Sequence, residues 1–231
     1  MASIIPTPKI PKQVVRVRNA TNRVLHWLVF FAVIDLLITG YYIGNPILAY
    51  GQGEAYQATI MADIRFYHFI GAMVLDICIM LRVYLAFFSL YHRDWHELMP
   101  TPGNLKGAFG IIKSYLTFRK PPFFRYVDPF DGMMFLVLQL LMALQLFTGF
   151  QIYVHGLAPD YWWARVIHFG TDWTLWAFGS AQHVRMVHHL VQWIVVSGII
   201  LHVYIQVIKT VIWEDGHISA IFGGYKYKNM E

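Results

Sequence analysis

Four long blocks of apolar residues dominate the hydropathy pattern of the chain, and polar or charged residues separate them. A helix needs about 20 mostly apolar residues to cross the hydrocarbon core of a bilayer. The blocks cover residues 24–44, 66–90, 132–154 and 187–212. Their lengths predict an all-α membrane protein in which a bundle of four transmembrane helices forms a single domain over residues 1–231.

An aromatic segment at residues 161–178 is interrupted by Arg165 and Asp172, so it does not read as a fifth span. Trp and Tyr favour the headgroup layer of a bilayer, and we therefore expect an interfacial segment. Its aromatic side chains also suit a surface on which a partner protein docks. Both interpretations stay open from the sequence.

The distribution of Lys and Arg predicts the orientation, because cytoplasmic loops carry most of these residues. Five lie in residues 1–23 and six in residues 91–131. In contrast, residues 45–63 carry none and residues 155–182 carry only one. We therefore expect a cytoplasmic N-terminus over residues 1–23 and a cytoplasmic tail over residues 213–231. The net charge of +5 then reflects membrane orientation and not nucleic-acid binding.

The composition limits the class of protein and the kinds of cofactor that the chain can bind. Only 13% of the residues are charged, about half the share of an average soluble domain. The single cysteine, Cys78, excludes internal disulfides, cysteine-ligated iron–sulfur clusters and the CxxCH attachment of c-type haem. Any haem must therefore be held without thioether links.

Four histidines lie in or at the ends of the apolar blocks, at two depths of the membrane. His188 and His202 are fourteen residues apart, which places them about 40° apart on one helix face and roughly 21 Å apart along the axis. His68 lies at the outer depth and His26 at the inner depth. We expect His68 and His188 to ligate an outer haem and His26 and His202 to ligate an inner haem.

Two imidazoles fill both axial positions of a haem iron, so such a site transfers electrons and does not bind a substrate at the metal. His189 competes with His188, although it lies about 140° from His202 on the helix. The alternative is that the histidines are unrelated polar residues at helix ends of a haem-free membrane scaffold or transporter.

Arginines and glycines accompany the histidines. The arginines that we expect to pair with haem propionates are Arg23, Arg65 and Arg185, each three residues before a histidine, and Arg82, fourteen after His68. Snorkelling at span ends is the alternative for any one of them. The glycines that would leave room for the macrocycle are Gly40, Gly71 and Gly198, which ordinary helix packing also explains. Asp35 and Asp76 lie inside spans, and the sequence assigns them no role.

Protonatable side chains lie near the inner depth of the fourth and third spans. Tyr204 follows His202, and Asp128 and Asp131 precede the third block. A quinone that is reduced at this end would take protons from the cytoplasm. These three residues are therefore candidates for a quinone and proton site.

Several short motifs resemble the cytochrome b subunit of membrane-bound nickel–iron uptake hydrogenases. They are Arg23-Val-Leu-His26-Trp, Thr39-Gly-Tyr-Tyr-Ile-Gly44, Arg65-Phe-Tyr-His68-Phe, Leu81-Arg-Val-Tyr-Leu-Ala-Phe87 and the segment from Gly198 to Tyr204. The likeness extends over nearly the whole chain. The resemblance implies a multi-pass protein of the bacterial inner membrane that takes part in respiration.

The resemblance also implies the cofactors and the partners. It implies two haem b groups whose iron ligands match His26, His68, His188 and His202. Electrons from hydrogen would reach the outer haem through the iron–sulfur small subunit of a periplasmic nickel–iron hydrogenase and would leave to membrane quinone. The chain would be the electron-transfer subunit of a hydrogen:quinone oxidoreductase, with the hydrogen chemistry in a partner. The cytochrome b subunit of a formate dehydrogenase, or of a related respiratory oxidoreductase, is the alternative.

Overall fold

The computed structural model describes residues 11–46, 59–90, 93–117, 119–157 and 160–229. The elements in chain order are β1 (Lys12–Arg16), α1 (Ala20–Gly44), α2 (Ile60–Phe88), α3 (Trp95–Leu98), α4 (Pro102–Leu116), α5 (Pro129–Val154), α6 (Trp162–Thr171), α7 (Trp173–Phe178), α8 (Ala181–Val211), α9 (His217–Phe222) and β2 (Tyr225–Asn229). Helices α1, α2, α5 and α8 are long and apolar enough to cross a membrane. They confirm the predicted all-α membrane fold with four spans.

Helices α1, α5 and α8 begin before their apolar blocks, and a polar side chain caps the start of each. The Ser180 hydroxyl accepts a hydrogen bond from the backbone N–H of His183 at 3.2 Å, so α8 begins six residues before the block that starts at residue 187. The Asp128 carboxylate accepts from the backbone N–H groups of Phe130 and Asp131 at the start of α5. Such caps satisfy the first free N–H groups of a helix. Hydropathy alone does not detect these polar first turns.

The four spans pack as two pairs. Helix α1 packs along α2, and α5 packs along α8, whereas α2 and α5 make only a small contact. In the described part of the chain, the backbones of α1 and α8 approach each other far less than the backbones within each pair. Side chains therefore fill the space between the pairs, and the histidines are among them.

The segments before α1 and after α8 are joined in a small antiparallel sheet. Strand β1 pairs with β2, with Val14 opposite Tyr227. The backbone N–H groups of Val17 and Arg18 also donate to the carbonyl of Gly224, at 2.8 and 3.1 Å. The segment predicted only as a tail is therefore folded back onto the start of α1. The sheet places the segment before α1 and the segment after α8 at the same end of the bundle.

The two longer connections contain helices of their own. Helix α4 begins at Pro102, with Thr101 as its N-cap, and packs on α5. The aromatic segment forms α6 and α7 beside the far end of α5, and Trp162, Phe169 and Trp176 on these helices are strongly exposed. The structure thus leaves the aromatic segment open to lipid headgroups or to a partner.

Candidate haem-binding site

The inner pair of histidines meets between α1 and α8. The ring centres of His26 and His202 are 6.5 Å apart, and the ring planes are inclined by 52°. Two imidazoles that ligate one metal from opposite sides, with bonds of about 2 Å and ring centres about 1 Å behind the nitrogens, have ring centres about 6 Å apart. The spacing of His26 and His202 therefore fits a metal ion between the two rings. The edge of Phe135 packs against His202, at 5.2 Å between ring centres.

The outer histidines are each held by a threonine of the neighbouring helix. The Nδ1 atom of His68 lies 2.8 Å from the Oγ1 atom of Thr39 on α1. The Nδ1 atom of His188 lies 2.9 Å from the Oγ1 atom of Thr148 on α5. Nδ1 is thus occupied in both rings, and Nε2 is the nitrogen left to bind a metal.

Helix α1 contacts both α2, which carries His68, and α8, which carries His188, at Gly40. A Cβ atom built on Gly40 would lie 3.1 Å from Cε1 of His68 and 3.7 Å from Oε1 of Gln192, which is one turn after His188. The neighbouring ring of His189 points to Gly44 of α1, where an added Cβ would be 2.9 Å from its Cε1 atom. His188 and His189 therefore face different helices, and the Thr148 contact belongs to His188.

The other two glycines proposed to leave room for a macrocycle lie at helix contacts. A Cβ atom on Gly71 would collide with the Asp35 carboxylate of α1, and one on Gly198 would lie 2.7 Å from Leu138 of α5. Both glycines allow neighbouring helices to approach closely. Asp35 thus lies over Gly71, in the contact between α1 and α2. A role of Gly71 or Gly198 beside a haem stays a prediction.

The four arginines proposed as propionate partners lie in different surroundings. Arg82 donates two hydrogen bonds to the carboxylate of Asp94, at 3.0 and 2.7 Å. The Arg23 guanidinium donates to the carbonyl of Phe222 in the tail. Arg65 and Arg185 are exposed. The structure therefore gives Arg82 and Arg23 partners within the chain, and the propionate role of all four stays a prediction.

A buried charged cluster lies beneath the inner histidines. Lys209, only 2% exposed, donates to the carboxylates of Asp128 and of Asp131, the latter at 2.7 Å. Gln206 also donates to Asp131, at 3.2 Å. Burial raises the pKa of Asp128, and the neighbouring Asp131 charge acts in the same direction. The cluster fastens the start of α5 to the end of α8, about two helical turns beyond His202.

The structure separates the three residues proposed for a quinone and proton site. Asp128 and Asp131 share Lys209, whereas Tyr204 is 62% exposed on the outside of α8. One carboxylate oxygen of Asp131, Oδ1, is buried and has no hydrogen-bond partner in the part of the chain that the structure describes. Within the α5–α8 pair the carboxylates are thus internal, whereas the Tyr204 phenol faces away from the bundle.

Comparison with known proteins decides the family. The family model described as prokaryotic cytochrome b561 matches residues 17–224, which is most of the chain. The chain belongs to the prokaryotic cytochrome b561 family. The matched region includes every histidine discussed above, and family membership implies a b-type haem. The cytochrome b561 fold and the four apolar helices identify a multi-pass protein of the bacterial inner membrane.

Relatives in other bacteria agree with this family. A probable Ni/Fe-hydrogenase B-type cytochrome subunit of Azotobacter vinelandii is 34% identical over 224 residues, which cover 94% of this chain and 91% of the relative. A protein of the same name in Rhizobium leguminosarum bv. viciae is 29% identical and covers 96% and 93% of the two chains. A probable Ni/Fe-hydrogenase 1 B-type cytochrome subunit of Escherichia coli K12 is 27% identical and covers 90% and 88%. The resemblance found in the sequence motifs is confirmed.

Three residues of this cytochrome b561 site are absent from the sequence-based candidates. Thr39 and Thr148 hold the outer histidines, and each is followed by a glycine, a repeated Thr-Gly pair that is visible in the sequence. Arg18 is the third, and its charge acts on both His26 and His202. Burial lowers the pKa of the Arg18 guanidinium. Arg18 would be a suitable partner for a haem propionate at the inner site.

Proposed function

We propose that the chain is the dihaem cytochrome b subunit of a membrane-bound nickel–iron hydrogenase. In this role it passes electrons from the iron–sulfur small subunit, on the periplasmic side, to quinone in the membrane. The observation that carries the proposal is the 6.5 Å spacing of the His26 and His202 rings, together with the threonine contacts at Nδ1 of His68 and His188, which leave Nε2 as the metal-binding nitrogen. Bound haem supplies one-electron redox chemistry.

The residues of the chain would hold two haems at two depths. His26 and His202 would ligate the inner iron, and His68 and His188 the outer iron. Because each iron would have two imidazole ligands, no axial position would remain for oxygen or substrate. The chain's contribution is then to hold the ligands in place, exclude water and set the depth of each centre.

The direction of transfer follows from the predicted orientation. The β1–β2 sheet joins the segment before α1 to the segment after α8, and the Lys and Arg bias assigns that side to the cytoplasm. His68 and His188 would then lie near the periplasm, where a hydrogenase would dock against the aromatic helices α6 and α7. The names of the relatives support a hydrogenase as partner in preference to a formate dehydrogenase.

Quinone would bind at the inner end. Tyr204 faces the membrane, from which a quinone arrives, and the buried carboxylates of Asp128 and Asp131 would relay protons from the cytoplasm. If this is correct, Tyr204→Phe and Asp131→Asn should each slow quinone reduction while both haems remain bound. Unchanged quinone reduction in both variants would move the quinone site elsewhere.

The proposed electron path can be tested with two neighbouring histidines in the intact complex. His188→Ala should remove the outer haem and abolish hydrogen-dependent quinone reduction. Hydrogen oxidation with a soluble dye should persist, because that chemistry would belong to the partner subunit. His189→Ala should keep both haems. If His189→Ala loses the haem and His188→Ala retains it, the ligand assignment on α8 is wrong.

A further inference from the structure

The two outer histidines are held in the same way by two different helices. The Thr39 hydroxyl lies 2.6 Å from the carbonyl oxygen of Asp35, and the Thr148 hydroxyl lies 2.7 Å from that of Leu144. A carbonyl oxygen only accepts hydrogen bonds, and a hydroxyl has only one hydrogen to donate. Each hydroxyl hydrogen is therefore used on its own helix. The hydroxyl oxygen must accept from the neighbouring imidazole, so both rings carry their proton on Nδ1.

Glycines complete the two contacts. A Cβ atom on Gly40, next to Thr39, would lie 3.1 Å from Cε1 of His68. A Cβ atom on Gly149, next to Thr148, would lie 3.2 Å from Cε1 of His188. Each imidazole thus rests on the backbone of a Thr-Gly pair. The contact fixes both the orientation and the tautomer of the ring, and it leaves the Nε2 lone pair free.

The inner site lacks this arrangement on α8. The Nδ1 atom of His202 is buried and has no hydrogen-bond partner among the described residues. A partner at Nδ1 makes a ligand imidazole more basic and so stabilises the higher charge of an oxidised metal. The effect is strengthened when the accepting oxygen is itself polarised by a second hydrogen bond and lies in an apolar interior. Both conditions hold at the buried residues Thr39 and Thr148.

We propose that Thr39 and Thr148 are positioning residues that lower the reduction potential of the outer haem below that of the inner haem. The proposal rests on the proposed dihaem function. A lower potential outside than inside makes each one-electron transfer toward the inner end favourable. The electron lost at the outer iron is the electron gained at the inner iron, and no proton is exchanged. The Thr-Gly pairs would thereby set the direction of electron flow.

The test is a redox titration of the intact complex that carries Thr148→Val, which removes the hydroxyl and keeps the shape. Thr148→Ser, which keeps the hydroxyl, is the conservative control. Ser197→Ala is the matched control on α8, because the Ser197 hydroxyl bonds only the carbonyl of Trp193 in the described structure. Optical spectra follow each haem, and the difference spectrum of His188→Ala identifies the outer one.

Thr148→Val should raise the potential of the outer haem and leave the inner one unchanged. Loss of a residue that hydrogen-bonds to a metal ligand costs about 10–100-fold in metal affinity. A loss tenfold larger for the ferric than for the ferrous state corresponds to a rise of about 59 mV for one electron. Thr148→Ser and Ser197→Ala should keep the original value. Thr39→Val should also raise the reduction potential of the outer haem.

The outcomes separate this proposal from the proposed function. Two bound haems with unchanged potentials in both Thr→Val variants would overturn the role of the threonines and leave the dihaem function standing. Fewer than two haems in the unaltered complex would overturn both. Loss of only the outer haem in Thr148→Val, with recovery in Thr148→Ser, would support the orienting contact.

Discussion

The buried lysine below the inner histidines gives the sharpest stability prediction. Lys209 is 2% exposed and forms ion pairs with the carboxylates of Asp128 and Asp131, which are 6% and 4% exposed. Lys209→Met keeps an unbranched side chain of nearly the same length but leaves the two carboxylates without this cation. Removing one partner of a buried ion pair costs about 3–5 kcal/mol, because the remaining charge stays buried.

The stability that Lys209→Met loses should depend on the negative charges of the two carboxylates. Asp128 retains the backbone N–H groups at the start of α5, so Asp131 is the carboxylate with fewer other partners. In the double variant Lys209→Met with Asp131→Asn, one negative charge is removed together with the cation. We expect this variant to regain about 1–3 kcal/mol relative to Lys209→Met alone, as residues of one charged network are not additive.

Thermal unfolding in mild detergent, followed by tryptophan fluorescence, measures both effects. A loss of 3–5 kcal/mol corresponds to a fall in melting temperature of roughly 10 °C for a chain of this size. Lys106→Met, on an exposed position of α4, is the control and should change little. A melting temperature of Lys209→Met close to that of Lys106→Met would refute the reasoning, as would a double variant no more stable than Lys209→Met.

Three further predictions concern the contacts between elements. A Cβ at Gly71 would collide with Asp35, so Gly71→Ala should cost about 1–3 kcal/mol of stability in thermal unfolding. Adding Asp35→Ala should restore most of this loss. If the double variant is no more stable than Gly71→Ala, the contact does not explain the loss. Burial lowers the pKa of Lys226 from 10.5 to about 8. The folded chain then binds fewer protons than the unfolded chain between pH 8 and 10.5, so stability should rise with pH over that window, by about 3 kcal/mol in total. The melting temperature of Lys226→Met should rise less, and an equal rise in both proteins would be inconsistent with this linkage. Arg82→Lys cannot form both hydrogen bonds to Asp94 and should cost about 1 kcal/mol, a loss that should vanish when Asp94→Asn is already present.

The sequence predicts the spans well because a membrane imposes one dominant constraint. Uninterrupted apolar blocks of helical length have few alternatives in a bilayer, and α1, α2, α5 and α8 contain the four predicted blocks almost entirely. Polar side chains cap the first turns of α1, α5 and α8, so hydropathy places the starts of these helices too late. The predicted depths of His26 and His202 in their spans are equal, and the structure has their ring centres 6.5 Å apart.

The remaining features depend on contacts between distant segments, which periodicity does not encode. The pairing of β1 with β2 joins residues about two hundred positions apart. Arg82 lies on a predicted haem-facing side of α2, but the Asp94 carboxylate that binds it follows the end of the helix. Lys209 is near the end of the fourth apolar block, and the structure buries it against the carboxylates of Asp128 and Asp131, about 80 positions earlier in the chain. The Thr-Gly pair that occurs at Thr39 and again at Thr148 is visible in the sequence, and it marks the two threonines that contact the outer histidines.

The haem content of the purified protein tests the central claim most directly. A pyridine haemochrome assay, set against the amount of chain in the intact complex, should give two haem b groups per chain. His26→Ala and His68→Ala should each give one, and the double variant none. A ratio of one or less in the unaltered chain, or two haems retained after His26→Ala, would contradict the account.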